Sequence, residues 1–276
     1  MLRHWRAIVF CGLAILLFLI EFDGPFLLVG LVAPVVEPES ARAALGLGST
    51  AYPPGWHPDN RWSMAIHASL GILVGSTAIA LLWMPRRRPL LAQFFIASFL
   101  VFGAVFAWAA LTNQVPNNAI PFIVVSSLVI PAILVALWPG GPRSLVAFRD
   151  RLSLPLLGLS LIAALALGFR AVLLPSDETV LTACMVVLAG LMAASGRPGA
   201  RVLGVLVGVA LIYLGLAAML LQGAPGSWGI LGGGLALIGG AAFVAASLLP
   251  SPGSVGRSAP HEDAMAPDIR TRANQR

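Results

Sequence analysis

The sequence predicts an all-α fold: a polytopic integral membrane helix bundle of about eight transmembrane helices, arranged as two parallel four-helix repeats. Three observations predict it: the composition, a succession of apolar stretches of spanning length, and the side on which arginine gathers. Of 276 residues, 58% are hydrophobic and only 10% are charged, a balance far from that of soluble domains.

A helix that crosses a hydrocarbon core of about 30 Å needs about 20 mostly apolar residues at 1.5 Å each. Eight stretches meet that requirement, at about 7–28, 63–84, 90–111, 119–138, 153–173, 180–195, 201–221 and 229–249. The first is interrupted by Gly24-Pro25, and the sixth is short. The opening "MLRHWRAIVFCGLAILLFLI" has the basic start and apolar run of a signal peptide, but no small-x-small cleavage pattern follows directly, so it is expected to stay as the first span.

Basic residues should gather in alternate loops if the spans are counted correctly. All 17 basic residues are arginines, and 14 of them fall on one side: Arg3, Arg6, Arg86, Arg87, Arg88, Arg143, Arg149, Arg151, Arg197, Arg201, Arg257, Arg270, Arg272 and Arg276. Arg42, Arg61 and Arg170 fall on the other. Both termini are therefore expected in the cytoplasm. Trp83 and Trp138 close spans on the inner side and Trp62, Trp108 and Trp228 lie near the outer ends, as an aromatic belt requires. The lysine-free, Ala-, Gly- and Leu-rich composition points to a GC-rich bacterial genome and hence to a bacterial inner membrane.

The chain also resembles itself. Arg88-Pro89 recurs as Arg197-Pro198 and Pro116 as Pro225 at the same offset, so residues 1–139 form a first four-helix repeat and 140–250 a second. Four spans per copy is an even number, which makes the repeats parallel. An extracytoplasmic loop at 34–62 carries "PESARAALGLG", read as a short helix, and 251–276 is a polar, Pro- and Ser-rich tail expected to be disordered in the cytoplasm. A four-span unit with such a loop, running through "DNRWSMAIHASLGILVG" to "RRRPLLAQ", resembles the DoxX-like small four-helix membrane proteins, here duplicated in tandem. That resemblance implies a fold and, for some members, an association with redox or quinone-linked complexes. It supplies no catalytic residue.

Helical rise places the polar groups by depth. Glu21 and Asp23 lie about 9 Å and 6 Å below the outer edge of the core, His67 lies about 7 Å in from Trp62, and Arg170 lands in the same outer layer. Aligning Arg3 with Arg151 puts Arg170 between the positions that match Glu21 and Asp23. A charge at that depth is costly unless it is paired or faces water, so Arg170 is expected to pair with Glu21 or Asp23, with His67 nearby. Pro25 removes the hydrogen bond to the Glu21 carbonyl, which predicts a helix break at Gly24-Pro25 that is tolerated only against protein or a cavity.

Other polar groups read as structural. Asp177 and Glu178 suit the positive end of the sixth span, and Asn113, Gln114, Asn117 and Asn118 suit a surface turn. Glycines at four-residue spacing, Gly71 and Gly75, Gly204 and Gly208, and the ladder Gly232, Ala236, Gly240, mark close helix packing. Cys11 and Cys184 sit in apolar runs, and no spacing matches a metal site or a nucleophile arrangement, so no metal and no cofactor is called for.

The arginines lie in short loops where topology accounts for them, which argues against nucleic acid. The partners expected are the lipid bilayer and, beyond it, a membrane protein partner or a second copy. Three roles stay open: a non-enzymatic accessory or structural component, a transporter or small-ligand binder with an outward-facing polar site, and a membrane enzyme or redox accessory acting on a lipid-soluble substrate.

Overall fold

The apolar stretches fold as helices. The computed structural model describes residues 2–21, 31, 34–35, 61–83, 88–112, 120–139, 141, 145, 152–173 and 177–249. Among these the helices are α1 (Leu2–Glu21), α2 (Arg61–Trp83), α3 (Pro89–Leu111), α4 in three consecutive pieces (Ile120–Val124, Val125–Val129 and Ile130–Leu137), α5 (Leu154–Leu173), α6 (Asp177–Ala194), α7 (Ala200–Leu220) and α8 (Gly229–Leu248). There is no strand among the described residues. Five helices, α2, α3, α5, α7 and α8, are each long and apolar enough to cross a membrane, and α1, α4 and α6 contribute shorter apolar stretches. These properties are those of a membrane protein.

Two helices start earlier than the apolar runs suggest, α1 at Leu2 and α6 at Asp177. In α6 the reason is electrostatic, since Glu178 in the first turn complements the positive helix start and extends the helix beyond its apolar part. The middle of α4 is a π-helical turn, Val125–Val129, which hydropathy does not reveal. Pro131 follows it and offers no N–H for an α-helical bond, while the hydroxyls of Ser126 and Ser127 both donate to the Ile123 carbonyl. Loosening the turn accommodates both.

Helices α2, α3, α6 and α7 form the centre: α2 packs on α6 and α7, and α3 packs on α6 and α7. Around them, α1 lies against α2 and α4, and α4 against α3; α5 lies against α6 and α8, and α8 against α7. Burial follows this order, with 67% of the apolar window of α2 buried but only 17% of those of α5 and α8, which turn their leucines outward. The core contains Phe94, Phe95 and Phe99 of α3, Leu70, Leu73 and Leu81 of α2, and Phe10, edge-on to Trp138 with centroids 5.2 Å apart.

Buried hydroxyls within the spans donate to carbonyls of their own helix: Ser69 to Ile66, Thr77 to Leu73, Ser98 to Phe95, Ser160 to Leu156 and Ser247 to Phe243, each at 2.7 Å. An apolar surrounding demands this, because an unbonded hydroxyl there costs far more than in water.

The closest backbone approach joins α7 to α8. A Cβ on Gly208 would lie 2.6 Å from the Gly240 carbonyl oxygen and one on Gly240 would lie 2.5 Å from that of Gly208; Gly215 and Gly233 meet in the same way at 2.6 Å. The two glycine pairs stand seven residues apart on each helix; the expected Gly204 and Gly208 spacing holds on α7, where a Cβ on Gly204 would meet the Ser247 side chain, but on α8 Gly233 takes the place expected of Gly232. Gly232 has only Trp228 of its own helix beside it. On α2 the expected face holds at Gly75, where the Phe18 ring fills the space a Cβ would need.

Candidate functional site

Polar side chains concentrate at the two ends of the bundle. At one end the starts of α2 and α6 meet: the Ser63 hydroxyl donates to Oε1 of Glu178. Both residues stand in the first turn of their helices, where the amide ends favour a carboxylate. One turn along α2, Nδ1 of His67 lies 2.9 Å from the Ser63 carbonyl oxygen. A carbonyl can only accept, so Nδ1 carries the proton in this bond. One turn along α6, Thr182 is buried, and its hydroxyl oxygen has no hydrogen-bond partner among the described residues.

Arg170, in the last turn of α5, belongs to the same end. Its Nη2 donates to the carbonyls of Gly226 at 2.8 Å and Ser227 at 3.0 Å, in the turn between α7 and α8. The Ser227 hydroxyl donates to the Ala218 carbonyl and receives the Gly229 amide, which fixes that turn to both helices. Trp228 stands edge-on to Trp62 at 5.4 Å. Gly226, with φ of +79°, holds a left-handed backbone that favours glycine, and a Cβ there would make ordinary contact with the Trp62 ring. Trp62 and Ser63 thus tie α2 to the starts of α8 and α6.

Of the residues singled out in the sequence, His67 and Arg170 are at this end. The Glu21 side chain, Asp23, Gly24 and Pro25 lie outside the described residues, as do the helix expected at "PESARAALGLG", the Asn113 to Asn118 turn and the tail. Sequence reasoning missed Glu178 as a member of the layer and treated it only as a helix-start charge. The available signal was helical rise itself, since Glu178 in the first turn of α6 and Ser63 in the first turn of α2 stand at matching levels of their helices.

At the opposite end, the loop between α6 and α7 buries Arg197 to 7% exposure. Its Nη1 donates to Oε1 of Gln93 on α3, and its Nη2 donates to the Leu145 carbonyl at 3.3 Å. Burial pushes the guanidinium pKa below its ordinary value. Cysteine, histidine and carboxylate side chains form no group of three able to hold a metal among the described residues.

Chemically, the first end offers a carboxylate, two hydroxyls, an imidazole and a tryptophan pair between helices of both halves, and the second a cation held by an amide and a carbonyl. No family model matches the chain, and no similar curated protein or solved structure was found.

Proposed function

We propose that the protein is a non-enzymatic integral membrane protein, an accessory or structural component of a bacterial inner membrane, whose two four-helix repeats span it eight times with both termini cytoplasmic. The observation that carries this reading is Arg197, a buried cation of the second half that donates to Oε1 of Gln93 in the first half and to the Leu145 carbonyl in the segment between α4 and α5. Ser63 and Glu178 make the corresponding tie at the other end. Side chains that hold two bundles together at both ends are what a structural component needs.

The packing order supports the repeat. The contacts of α1 to α4 in sequence, closed by α1 on α4, are matched by those of α5 to α8, closed by α5 on α8. Between halves, α2 on α7 is matched by α6 on α3, as a two-fold pseudo-axis along the membrane normal demands. The layout of each half is also that of the DoxX-like four-helix proteins, and a partner in the membrane is the expected consequence of an accessory role.

Thermal unfolding of the full chain in detergent tests the structural reading. Gln93→Leu leaves a buried guanidinium short of a partner, at a cost of about 1.5–3 kcal/mol. Arg197→Met combined with Gln93→Leu removes both polar groups and is expected to recover most of that loss. Equal destabilisation by the single and the double variant would count against the clamp.

A second reading, a small-ligand binder with an outward-facing polar site, is favoured by one observation: the Thr182 hydroxyl, buried one turn from Glu178 without a partner among the described residues. Retained stability of Glu178→Gln together with lost uptake or binding of a small polar solute would support it.

A further inference from the structure

The end at which α2 and α6 begin holds an exception to a rule that the rest of the bundle obeys. Every other buried hydroxyl among the described residues donates to a carbonyl of its own helix, at 2.7 to 3.2 Å, as an apolar surrounding demands. Thr182 is as deeply buried, at 2% exposure, yet its hydroxyl bonds neither to the carbonyl one turn back nor to any other described group. A buried hydroxyl without a partner calls for an explanation, and the chemistry beside it supplies one.

Glu178 stands one turn nearer the start of α6 on the same face as Thr182, because residues four apart lie one above the other. Side chains of a helix lean toward its start, so the Thr182 hydroxyl leans toward the Glu178 turn. The carboxylate is half-buried and Ser63 donates to its Oε1, but among the described residues it forms no ion pair and Oε2 receives no hydrogen bond. Arg170, at the same end, commits its Nη2 to the carbonyls of Gly226 and Ser227. An anionic oxygen without a cation therefore stands one turn from a neutral oxygen without a partner, between apolar helices where an uncompensated charge is costly.

We propose that Glu178 and Thr182 bind a small monovalent cation, with Ser63 fixing the carboxylate that holds it. Hard cations take oxygen ligands, carboxylate and neutral oxygens together, and water reaching the half-buried carboxylate completes the shell. A cation takes up a lone pair of the Thr182 oxygen, which the apolar core around it cannot do. One carboxylate balances one positive charge, whereas a divalent ion would leave a net charge among the helices. The inference rests on the ligand-binding reading of this end and names the ligand.

Thermal melting of the full chain in detergent, at constant ionic strength in sodium, potassium or N-methylglucamine chloride, provides the test. Sodium or potassium is expected to raise the melting temperature over N-methylglucamine in a saturable way that yields a dissociation constant. Thr182→Val, which keeps the shape of the side chain, should weaken that binding by about tenfold. In N-methylglucamine it should melt no lower than the wild type, because it deletes a hydroxyl that has no partner among the described residues. Glu178→Gln should weaken binding by about 100-fold or more; if that variant does not fold, Thr182→Val alone keeps the test. The same melting temperature in all three salts overturns the proposal, as does unchanged cation affinity in Thr182→Val or a lower melt of that variant in N-methylglucamine. Binding of a polar solute that depends on Glu178, with no cation effect on any melt, overturns the cation and leaves the ligand-binding reading standing; the absence of both overturns the two together.

Discussion

Gly240→Ala and Gly239→Ala, adjacent substitutions on α8, are expected to change stability in opposite directions. A Cβ at Gly240 would stand 2.5 Å from the Gly208 carbonyl oxygen and 2.8 Å from both the Ile212 backbone nitrogen and Cγ1, whereas one at Gly239 would meet nothing within 4 Å. Ordinary contact begins near 3.4 Å, so α7 and α8 would have to part by nearly an ångström at that point. Backbone atoms of two rigid helices cannot rotate away as a side chain would. The loss then spreads along the seam, because a gap of about 0.5–1 Å forfeits a quarter to a half of each dispersion contact.

In lipid there is little hydrophobic drive to compensate, since association there depends on packing itself. Overpacking of this kind costs about 1–3 kcal/mol. At Gly239 the only change is helix propensity, which favours alanine by up to about 1 kcal/mol. Unfolding in mixed micelles with increasing dodecyl sulfate, followed by circular dichroism, measures both. The same sign for the two variants, or a stabilising Gly240→Ala, would refute the seam.

Three further outcomes follow from contacts described above. Gly103→Ala is expected to destabilise by about 1–3 kcal/mol, because its Cβ would overlap that of Ser127 on the π-helical turn, and Ser127→Gly should relieve the overlap in the double variant; thermal melts of the three proteins decide it. Ser63→Ala removes the hydroxyl donor to Glu178 and should cost about 1–3 kcal/mol, more than Glu178→Gln, which keeps an acceptor for that hydroxyl; the same melts compare them. Arg170→Gln should leave the core intact but loosen the turn at 221–228, seen as faster hydrogen–deuterium exchange there; unchanged exchange would mean that its bonds to Gly226 and Ser227 do not hold the turn.

The helices were legible because hydropathy is a property of single segments, and α3, α5, α7 and α8 lie within a residue or two of the apolar runs that predict them. What was hidden involves two segments at once. Gly208 and Gly240 fit a small-residue pattern, but the choice of Gly233 over Gly232 depends on how α8 is rotated against α7, which neither helix encodes alone. Helical rise gives a level along the axis but no azimuth, so the bonds of Arg170 to the α7–α8 turn and of Ser63 to Glu178 were not foreseeable. Arg197 was counted as one of the arginines of a loop, although its proximity to Gln93 puts it inside the protein.

The placement of these polar ties has a physical logic. Apolar helices in lipid can slide and rotate against one another at small cost, because leucine against leucine is much the same contact as leucine against an acyl chain. A hydrogen-bonded polar pair has one good register and is penalised in every other, so it selects a geometry even where it adds little net stability. Such pairs are cheapest near the membrane surfaces, where the charged groups are closest to water. Ser63 with Glu178 near one end and Arg197 with Gln93 near the other fix the central helices at two points. Two points determine an axis, so the apolar surfaces of α2, α3, α6 and α7 between them need only to fill space.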